Sequence, residues 1–244
     1  MVIPWCGVEL KRLFDIVLAT TGLVVTAPVI LLGAVAVRAT SPGPAFYLAN
    51  RAGLRGGPFH VFKLRTMQHD QDPKRDRITA ENDSRVTPVG RLLRTFKIDE
   101  LPQLWNILRG DMSFVGPRPE DLEIVRQHYS PEQMRVLDVR PGLTTPGQVE
   151  WYPDLLYHDP PPPGTGVEEH YLARHLPFKV AQDLEYVDSS SLLLDIRVLC
   201  GTLWCVAVRS RLAPPPRKPL PIAADAVEGQ SPDASAEPVR SPES

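Results

Sequence analysis

The residues with the clearest capacity for chemistry are two adjacent carboxylates, Asp99 and Glu100, which stand directly before a Leu-Pro pair. Proline is tolerated in the first turn of a helix, so the apolar spacing that follows predicts a helix that begins near Pro102 and ends at Gly110. Both carboxylates then lie at the N-terminal end of that helix, where unpaired N–H groups favour anions. Asp99 is either a nucleophile toward phosphorus or simply the N-cap of the helix.

Three cationic side chains are candidates for binding phosphate near this pair. Residues 59–67 alternate in the manner of a strand, which places Lys63 and Arg65 on one face. These two cations either clamp a diphosphate or belong to a solvated edge strand. Residues 116–119, Gly-Pro-Arg-Pro, form a turn stiffened by two prolines. Because the two prolines restrict the backbone, Arg118 loses little conformational entropy when it binds a ligand, which suits a bidentate phosphate contact.

A membrane segment precedes these residues. The uncharged apolar run over 16–37 has the length of about 20 residues that a bilayer crossing requires. Pro28 in its middle predicts a kink or break, with the Thr26 hydroxyl as a partner for the freed backbone. Basic residues flank both ends, so both ends are expected on the cytoplasmic side. A re-entrant helix satisfies both observations, and a kinked spanning helix stays open as the alternative.

Composition limits the remaining possibilities. A net charge of −2 and a pI near 6.3 argue against a nucleic-acid-binding protein. The histidines are scattered, and even the closest pair, His170 and His175, lacks the further ligands of a zinc site. We expect a membrane helix over 8–40, a catalytic domain over 41–208 and a disordered Pro/Ala/Ser-rich tail over 209–244.

Several motifs in fixed order resemble those of the bacterial sugar transferases, the small monotopic polyprenyl-phosphate phosphoglycosyl transferases that start glycan assembly. The similarity runs from about residue 8 to about 208. The motifs are Lys11-Arg12, the proline-containing apolar helix, 62–67 (Phe-Lys-Leu-Arg-Thr-Met), 83–87 (Asp-Ser-Arg-Val-Thr), 99–103 (Asp-Glu-Leu-Pro-Gln), 110–119 (Gly-Asp-Met-Ser-Phe-Val-Gly-Pro-Arg-Pro), 140–144 (Arg-Pro-Gly-Leu-Thr) and 183–187 (Asp-Leu-Glu-Tyr-Val).

The resemblance implies an α/β fold: a membrane-associated chain with an N-terminal re-entrant or spanning kinked helix and a small α/β catalytic domain with interfacial amphipathic helices. It implies transfer of a sugar 1-phosphate from a UDP-sugar to polyprenyl (undecaprenyl) phosphate, as the first membrane step of extracellular polysaccharide or glycoconjugate synthesis. The reaction would use Mg²⁺ and take place at the cytoplasmic face of the bacterial inner membrane.

The resemblance also assigns residues. Asp99 becomes the nucleophile of a covalent phosphosugar intermediate, and Asp99 and Glu100 become ligands of Mg²⁺. Substrate phosphates are expected at Lys63, Arg65, Arg85, Gln103 and Arg118. One departure is that the usual Ser-Pro at the helix break is Ala27-Pro28 here.

A protein of another class is the alternative: a membrane-anchored scaffold without catalytic activity, whose charges hold the fold or bind lipid head groups. The sequence does not specify the sugar, the glycan pathway or the role of Glu100 as metal ligand or proton-transfer group. It also leaves a homo-oligomer open, because the apolar segment over 192–208 can pack on the domain, on the membrane or on a second copy.

Overall fold

The structure is a computed structural model that describes residues 8–68, 78, 83–151, 155–208 and 220. The predicted disordered tail over 209–244 therefore lies outside the described residues, except for Leu220. Within the described ranges, the fold mixes helices with two small sheets, in agreement with the expected α/β class. The helices are α1 (Val8–Thr40), α2 (Pro88–Thr95), α3 (Gln103–Arg109), α4 (Leu122–His128), α5 (Pro146–Glu150), α6 (Leu155–His158), α7 (Val167–His170), α8 (Leu176–Ser189) and α9 (Leu192–Ala207).

The strands form two pairs. Strands β1 (Phe46–Ala52) and β2 (Pro58–Leu64) are antiparallel, with Phe46 opposite Leu64 and Ala52 opposite Pro58. Strands β3 (Ser113–Val115) and β4 (Gly142–Thr144) are parallel. The alternating pattern over 59–67 thus predicted a real strand, which ends three residues early. A 3-10 turn lies over Gln133–Asp138.

Helix α1 is continuous, and the break expected at Pro28 is not present. The chain stays helical over 33 residues with Pro28 inside, so the helix is about 50 Å long. Proline removes one backbone hydrogen bond, and the intact bonds on either side maintain the helix. The Thr26 hydroxyl was expected to serve the backbone carbonyl that Pro28 leaves free, which is that of Val24. It donates instead to the carbonyl of Gly22 at 2.7 Å.

One side of α1 packs against the rest of the protein along most of its length. Near the N-terminal end, Arg12 donates to two carbonyls at the end of α3, those of Ile107 (2.6 Å) and Leu108 (2.8 Å). These last carbonyls of a helix lack intrahelical partners and carry partial negative charge, so a guanidinium there is favourable. At the other end, Val37 is buried in a cluster with residues of β2 and α2.

Small residues let the middle of α1 approach the domain closely. Ala19 is completely buried in a cluster that includes Leu104 and Ile107 of α3. A Cβ placed on Gly33 would lie 2.7 Å from a methyl carbon of Leu64, and one on Gly22 would lie 3.1 Å from Leu104. Helix α1 is therefore part of the hydrophobic core.

The opposite side of α1 is apolar and exposed, as are parts of other elements. In the described residues, α1 is the one helix long and apolar enough to cross a membrane by length and composition. Exposed large apolar side chains also occur on β1 and α9. They are Val24, Val25, Leu31, Leu32, Phe46, Leu48, Leu193, Ile196, Leu203 and Trp204.

Helix α3 connects α1 to the sheet that carries the predicted cations. Its limits follow the local sequence, because Pro102 precedes it and Gly110 ends it with a left-handed φ of 92°. Asn106 is fully buried, accepts from the N–H of Phe62 at 3.0 Å and donates to the carbonyl of His60 at 2.8 Å. These bonds fix α3 against the edge of β2, next to Lys63.

Candidate active site

The carboxylate pair lies in a 3-10 turn over Ile98–Glu100, directly before α3. Lys97 introduces this turn with a left-handed φ of 55°. Asp99 and Glu100 are buried, with exposures of 7% and 9%. The N-cap position of α3 belongs to Pro102, so the reading of Asp99 as the cap of this helix is wrong.

Glu100 is held by two cations from distant parts of the chain. Its Oε1 lies 3.0 Å from Lys63 Nζ on β2 and 2.6 Å from an Arg118 guanidinium nitrogen on the proline-rich turn after β3. Burial alone would raise the pKa of Glu100, but Arg118 and Lys63 lower this pKa well below its usual range. Burial lowers the pKa of Lys63, and the adjacent Glu100 opposes that effect. Glu100 therefore stays ionised and is poorly suited to exchange protons.

Asp99 has a different environment from its neighbour. Burial, and then the charge of Glu100, raise the pKa of Asp99, while Lys63 and Lys97 partly oppose that rise. Its Oδ1 is buried and has no hydrogen-bond partner among the residues that the structure describes. A buried carboxylate oxygen without a partner is unusual, which makes it a candidate ligand for a metal ion or a candidate nucleophile.

A cavity of about 370 Å³ lies beside the pair. Its wall includes Lys63, Lys97, Gln103 and Arg118, but neither Asp99 nor Glu100 lines it. Lys63 and Arg118 connect the cavity to the pair, because both contact Glu100. Gln103 is 2% exposed, and its Nε2 has no partner within the described ranges. The cavity is thus lined on one side by cations and an amide, which are suitable groups for binding phosphate.

Two predicted phosphate-binding residues lie elsewhere. Arg65 follows the last residue of β2 and donates to the carbonyls of Pro44 at 2.6 Å and Ser41 at 3.0 Å. Its guanidinium braces the turn after α1, so the expectation that it shares the site with Lys63 is not supported. Arg85 forms a close ion pair with Asp83 in its own loop, at 2.5 Å, and does not line the cavity.

The wall of the cavity also contains charged residues that sequence reasoning did not assign. Glu120 Oε2 lies 2.6 Å from Lys179 Nζ and also accepts the hydroxyl of Tyr171. Burial would raise the pKa of Glu120, but Lys179 and these hydrogen bonds bring it to about 2. Asp183 is buried, which raises its pKa to about 7, and its Oδ2 has no partner in the described part of the chain.

The sequence contains a signal that could have identified two of these residues as part of the site. Glu120 directly follows the proline-rich turn, and Asp183 opens one of the motifs that carry the resemblance. Their convergence on one cavity could not be predicted, because Glu120 and Lys179 are far apart in the chain and meet only when α8 packs.

A buried carboxylate pair, cations suited to phosphate and a core that includes an apolar helix are compatible with a membrane-associated transferase. The chain belongs to the bacterial sugar transferase family, whose sequence profile matches residues 7–209.

Named relatives agree with this assignment. The chain is 40% identical over 205 residues to a UDP-glucose:undecaprenyl-phosphate glucose-1-phosphate transferase of Caulobacter vibrioides, covering 82% of this chain and 71% of the relative. It is 36% identical over 199 residues to the uncharacterized sugar transferase EpsL of Bacillus subtilis, covering 82% and 88%. A UDP-N-acetylgalactosamine-undecaprenyl-phosphate N-acetylgalactosaminephosphotransferase of Aeromonas hydrophila is 34% identical over 196 residues, covering 80% of this chain and 43% of the relative.

Proposed function

We propose that this protein transfers a sugar 1-phosphate from a UDP-sugar to polyprenyl phosphate through a covalent intermediate on Asp99. The observation that carries the proposal is the buried Asp99–Glu100 pair, in which Glu100 binds Lys63 and Arg118 while one oxygen of Asp99 has no partner in the described residues. The names of the similar proteins support the class of donor and acceptor. Because those relatives use different sugars, they leave the sugar to be determined.

The proposed chemistry is two displacements at one phosphorus atom. In the first, an Asp99 carboxylate oxygen bonds to the phosphorus that carries the sugar, and the bond from that phosphorus to the bridging oxygen breaks. UMP leaves with the bonding electrons. In the second, an oxygen of polyprenyl phosphate bonds to the same phosphorus and the bond to Asp99 breaks, which regenerates the carboxylate.

The cations explain why the two carboxylates take different roles. Glu100 is ionised and already neutralised by Lys63 and Arg118, so it is a weak nucleophile and holds both cations in place. Lys63, Gln103 and Arg118 line the cavity, where they can neutralise the charge that develops on the transferring phosphate. The uncompensated Asp99 is left as the attacking group.

Mg²⁺ fits this group of residues. The Asp99 Oδ1 without a described partner is a hard oxygen ligand, and Mg²⁺ typically binds one or two carboxylates together with substrate phosphates. Asp99 and Glu100 would hold it, and the ion would supply charge neutralisation on the diphosphate.

The packing of α1 supports an arrangement in which the catalytic domain stays on one side of the membrane. Both ends of the helix contact that domain, and the apolar side of the helix faces outward. We place the domain at the cytoplasmic surface, where UDP-sugars are available. Helix α1 enters the lipid from that surface, and α9 lies in the interface.

The test is UMP release by the detergent-purified full-length protein, with Mg²⁺, undecaprenyl phosphate and a panel of UDP-sugars. We expect release with one or a few sugars and dependence on Mg²⁺. When the lipid is omitted, we expect a phosphosugar adduct in the intact-protein mass of the wild type and none in Asp99→Asn. The scaffold alternative predicts no UMP with any sugar. Release without an adduct, and unchanged in Asp99→Asn, would exclude the covalent mechanism.

A further inference from the structure

A second group of potential metal ligands lies where the cavity wall meets the loop before α7. His170 and His175 are buried, and His175 lines the cavity. Each Nε2 lies 3.0 Å from the carbonyl oxygen of Asp159 and 3.2 Å from its Oδ2. One ligand atom from each of the three residues lies within 4.8 Å of the others. From sequence, this histidine pair lacked further ligands, and the proline-rich loop supplies one.

An unusual backbone turn brings the two histidines together. In an α-helix, residues five apart project about 140° away from each other. Here the segment Tyr171–His175 between α7 and α8 is a π-helical turn, which widens the helix. Such turns are rare and often occur at functional sites. Pro177 lies in the first turn of α8, directly after this π-helical turn.

The cluster is suited to a cation that accepts nitrogen ligands. The two imidazoles offer nitrogen ligand atoms and Asp159 offers a carboxylate oxygen, all within 4.8 Å of one another. Neutral imidazole and carboxylate are ligands of Zn²⁺ and similar ions, whereas Mg²⁺ prefers oxygen. Two ligands of a tetrahedral Zn²⁺ lie roughly 3.5 Å apart, close to the 3.2 Å between each Nε2 and Oδ2.

We propose that Asp159, His170 and His175 form a binding site for a divalent transition-metal ion of the Zn²⁺ class, separate from the site of the carboxylate pair. The three ligands leave coordination positions for water or for an oxygen of a molecule in the cavity. Bound there, the ion ties the loop before α7 to the start of α8 at the wall of the cavity.

Two features of the cluster bear on the strength of binding. Arg174 Nε also contacts Asp159 Oδ2, at 2.9 Å, but its side chain is 44% exposed, so its guanidinium can be released to solvent at low cost. The Nδ1 of His175 is buried with no described partner, whereas strong sites usually orient this nitrogen with a hydrogen bond. The structural alternative is that both histidines only donate hydrogen bonds to Asp159.

The experiment uses the full-length protein in detergent, without a histidine tag, after removal of metals with a chelator. Zn²⁺ is titrated in excess Mg²⁺, retained metal is measured after gel filtration, and visible absorption is recorded with Co²⁺ in place of Zn²⁺. The variants are Asp159→Asn, whose side chain is only partly buried, and His170→Gln. The controls are His128→Gln, an exposed histidine on α4, and Asp99→Asn.

We expect the wild type and both controls to retain one Zn²⁺ and to show the Co²⁺ absorption. Asp159→Asn and His170→Gln should lose both while keeping the far-ultraviolet circular dichroism of the wild type. If His170→Gln fails to fold, the Zn²⁺ retention and Co²⁺ absorption of Asp159→Asn alone test the site. A wild type that retains no Zn²⁺, or an Asp159→Asn variant that binds like the wild type, overturns the site. Loss of Zn²⁺ in Asp99→Asn would assign the metal to the carboxylate pair instead.

Discussion

Replacing Asp99 by asparagine should stabilise the protein while it abolishes activity. Asp99 is buried, one of its oxygens has no described partner, and Glu100 is its sequence neighbour. An unsatisfied buried polar group costs about 1–3 kcal/mol, and asparagine removes the charge but still contains a polar group. We therefore expect the free energy of unfolding to rise by about 1 kcal/mol, equivalent to a Tm increase of about 2–4 °C for a chain of this size.

Glu100→Gln is the matched control, because it makes the same chemical change one residue away and should act in the opposite direction. It leaves Lys63 and Arg118 without their counter-charge. Breaking a buried pair typically costs about 3–5 kcal/mol, and the lower value applies because these cations are 25% and 30% exposed. Thermal unfolding in detergent measures both variants, and UMP release should fall at least about 10³-fold in Asp99→Asn.

The pH dependence gives an independent test of the same reasoning. Since the pKa of Asp99 is raised in the folded protein, the stabilisation from its bound proton is complete below the ordinary value of 3.8 and is lost as the pH rises through the folded value. Asp99→Asn lacks this loss, so its advantage over the wild type should grow with pH in that range. An asparagine variant that releases UMP, or that is destabilised as much as Glu100→Gln, refutes the proposed roles.

Three further variants test the packing. Arg12→Met should lower the free energy of unfolding by about 2 kcal/mol, because two carbonyls at the end of α3 lose a charged donor; denaturant titration in detergent measures this. Gly90→Ala should prevent accumulation of folded protein, because the new Cβ would lie 2.0 Å from the carbonyl oxygen of Thr66. The control is Gly166→Ala, whose Cβ meets no close atom, so this variant should express normally. Tyr186→Phe should cost about 1–3 kcal/mol, because its hydroxyl bonds buried Asp195 at 2.7 Å; equal Tm values would contradict this.

Local chemistry accounts for the parts of the fold that could be predicted from sequence. Pro102 and Gly110 determine where α3 begins and ends, because one lacks an N–H and the other adopts a left-handed φ. Lys63 and Arg118, which were expected near the carboxylate pair, contact Glu100 in the structure, and their binding of phosphate stays a prediction. These residues are placed by a strand and a proline-rich turn that are both evident in the sequence.

The errors arose where a local rule was overruled by the environment. Alternation places Arg65 on the same face as Lys63, but β2 ends at Leu64, so Arg65 leaves the sheet and bonds two carbonyls. Pro28 was expected to kink or break α1, yet the chain stays helical through Pro28 and is packed on both sides of it. The ligand-like grouping around Asp159 depends on a π-helical turn, which no spacing rule for α-helices predicts.

The close packing of α1 has a consequence for biogenesis. A segment that completes the hydrophobic cores around Ile107 and Leu64 is not a detachable anchor. Removing it to obtain a water-soluble fragment would uncover those side chains and leave an aggregation-prone remnant. We therefore expect membrane insertion of α1 and folding of the catalytic domain to be coupled, because the same helix contributes to both.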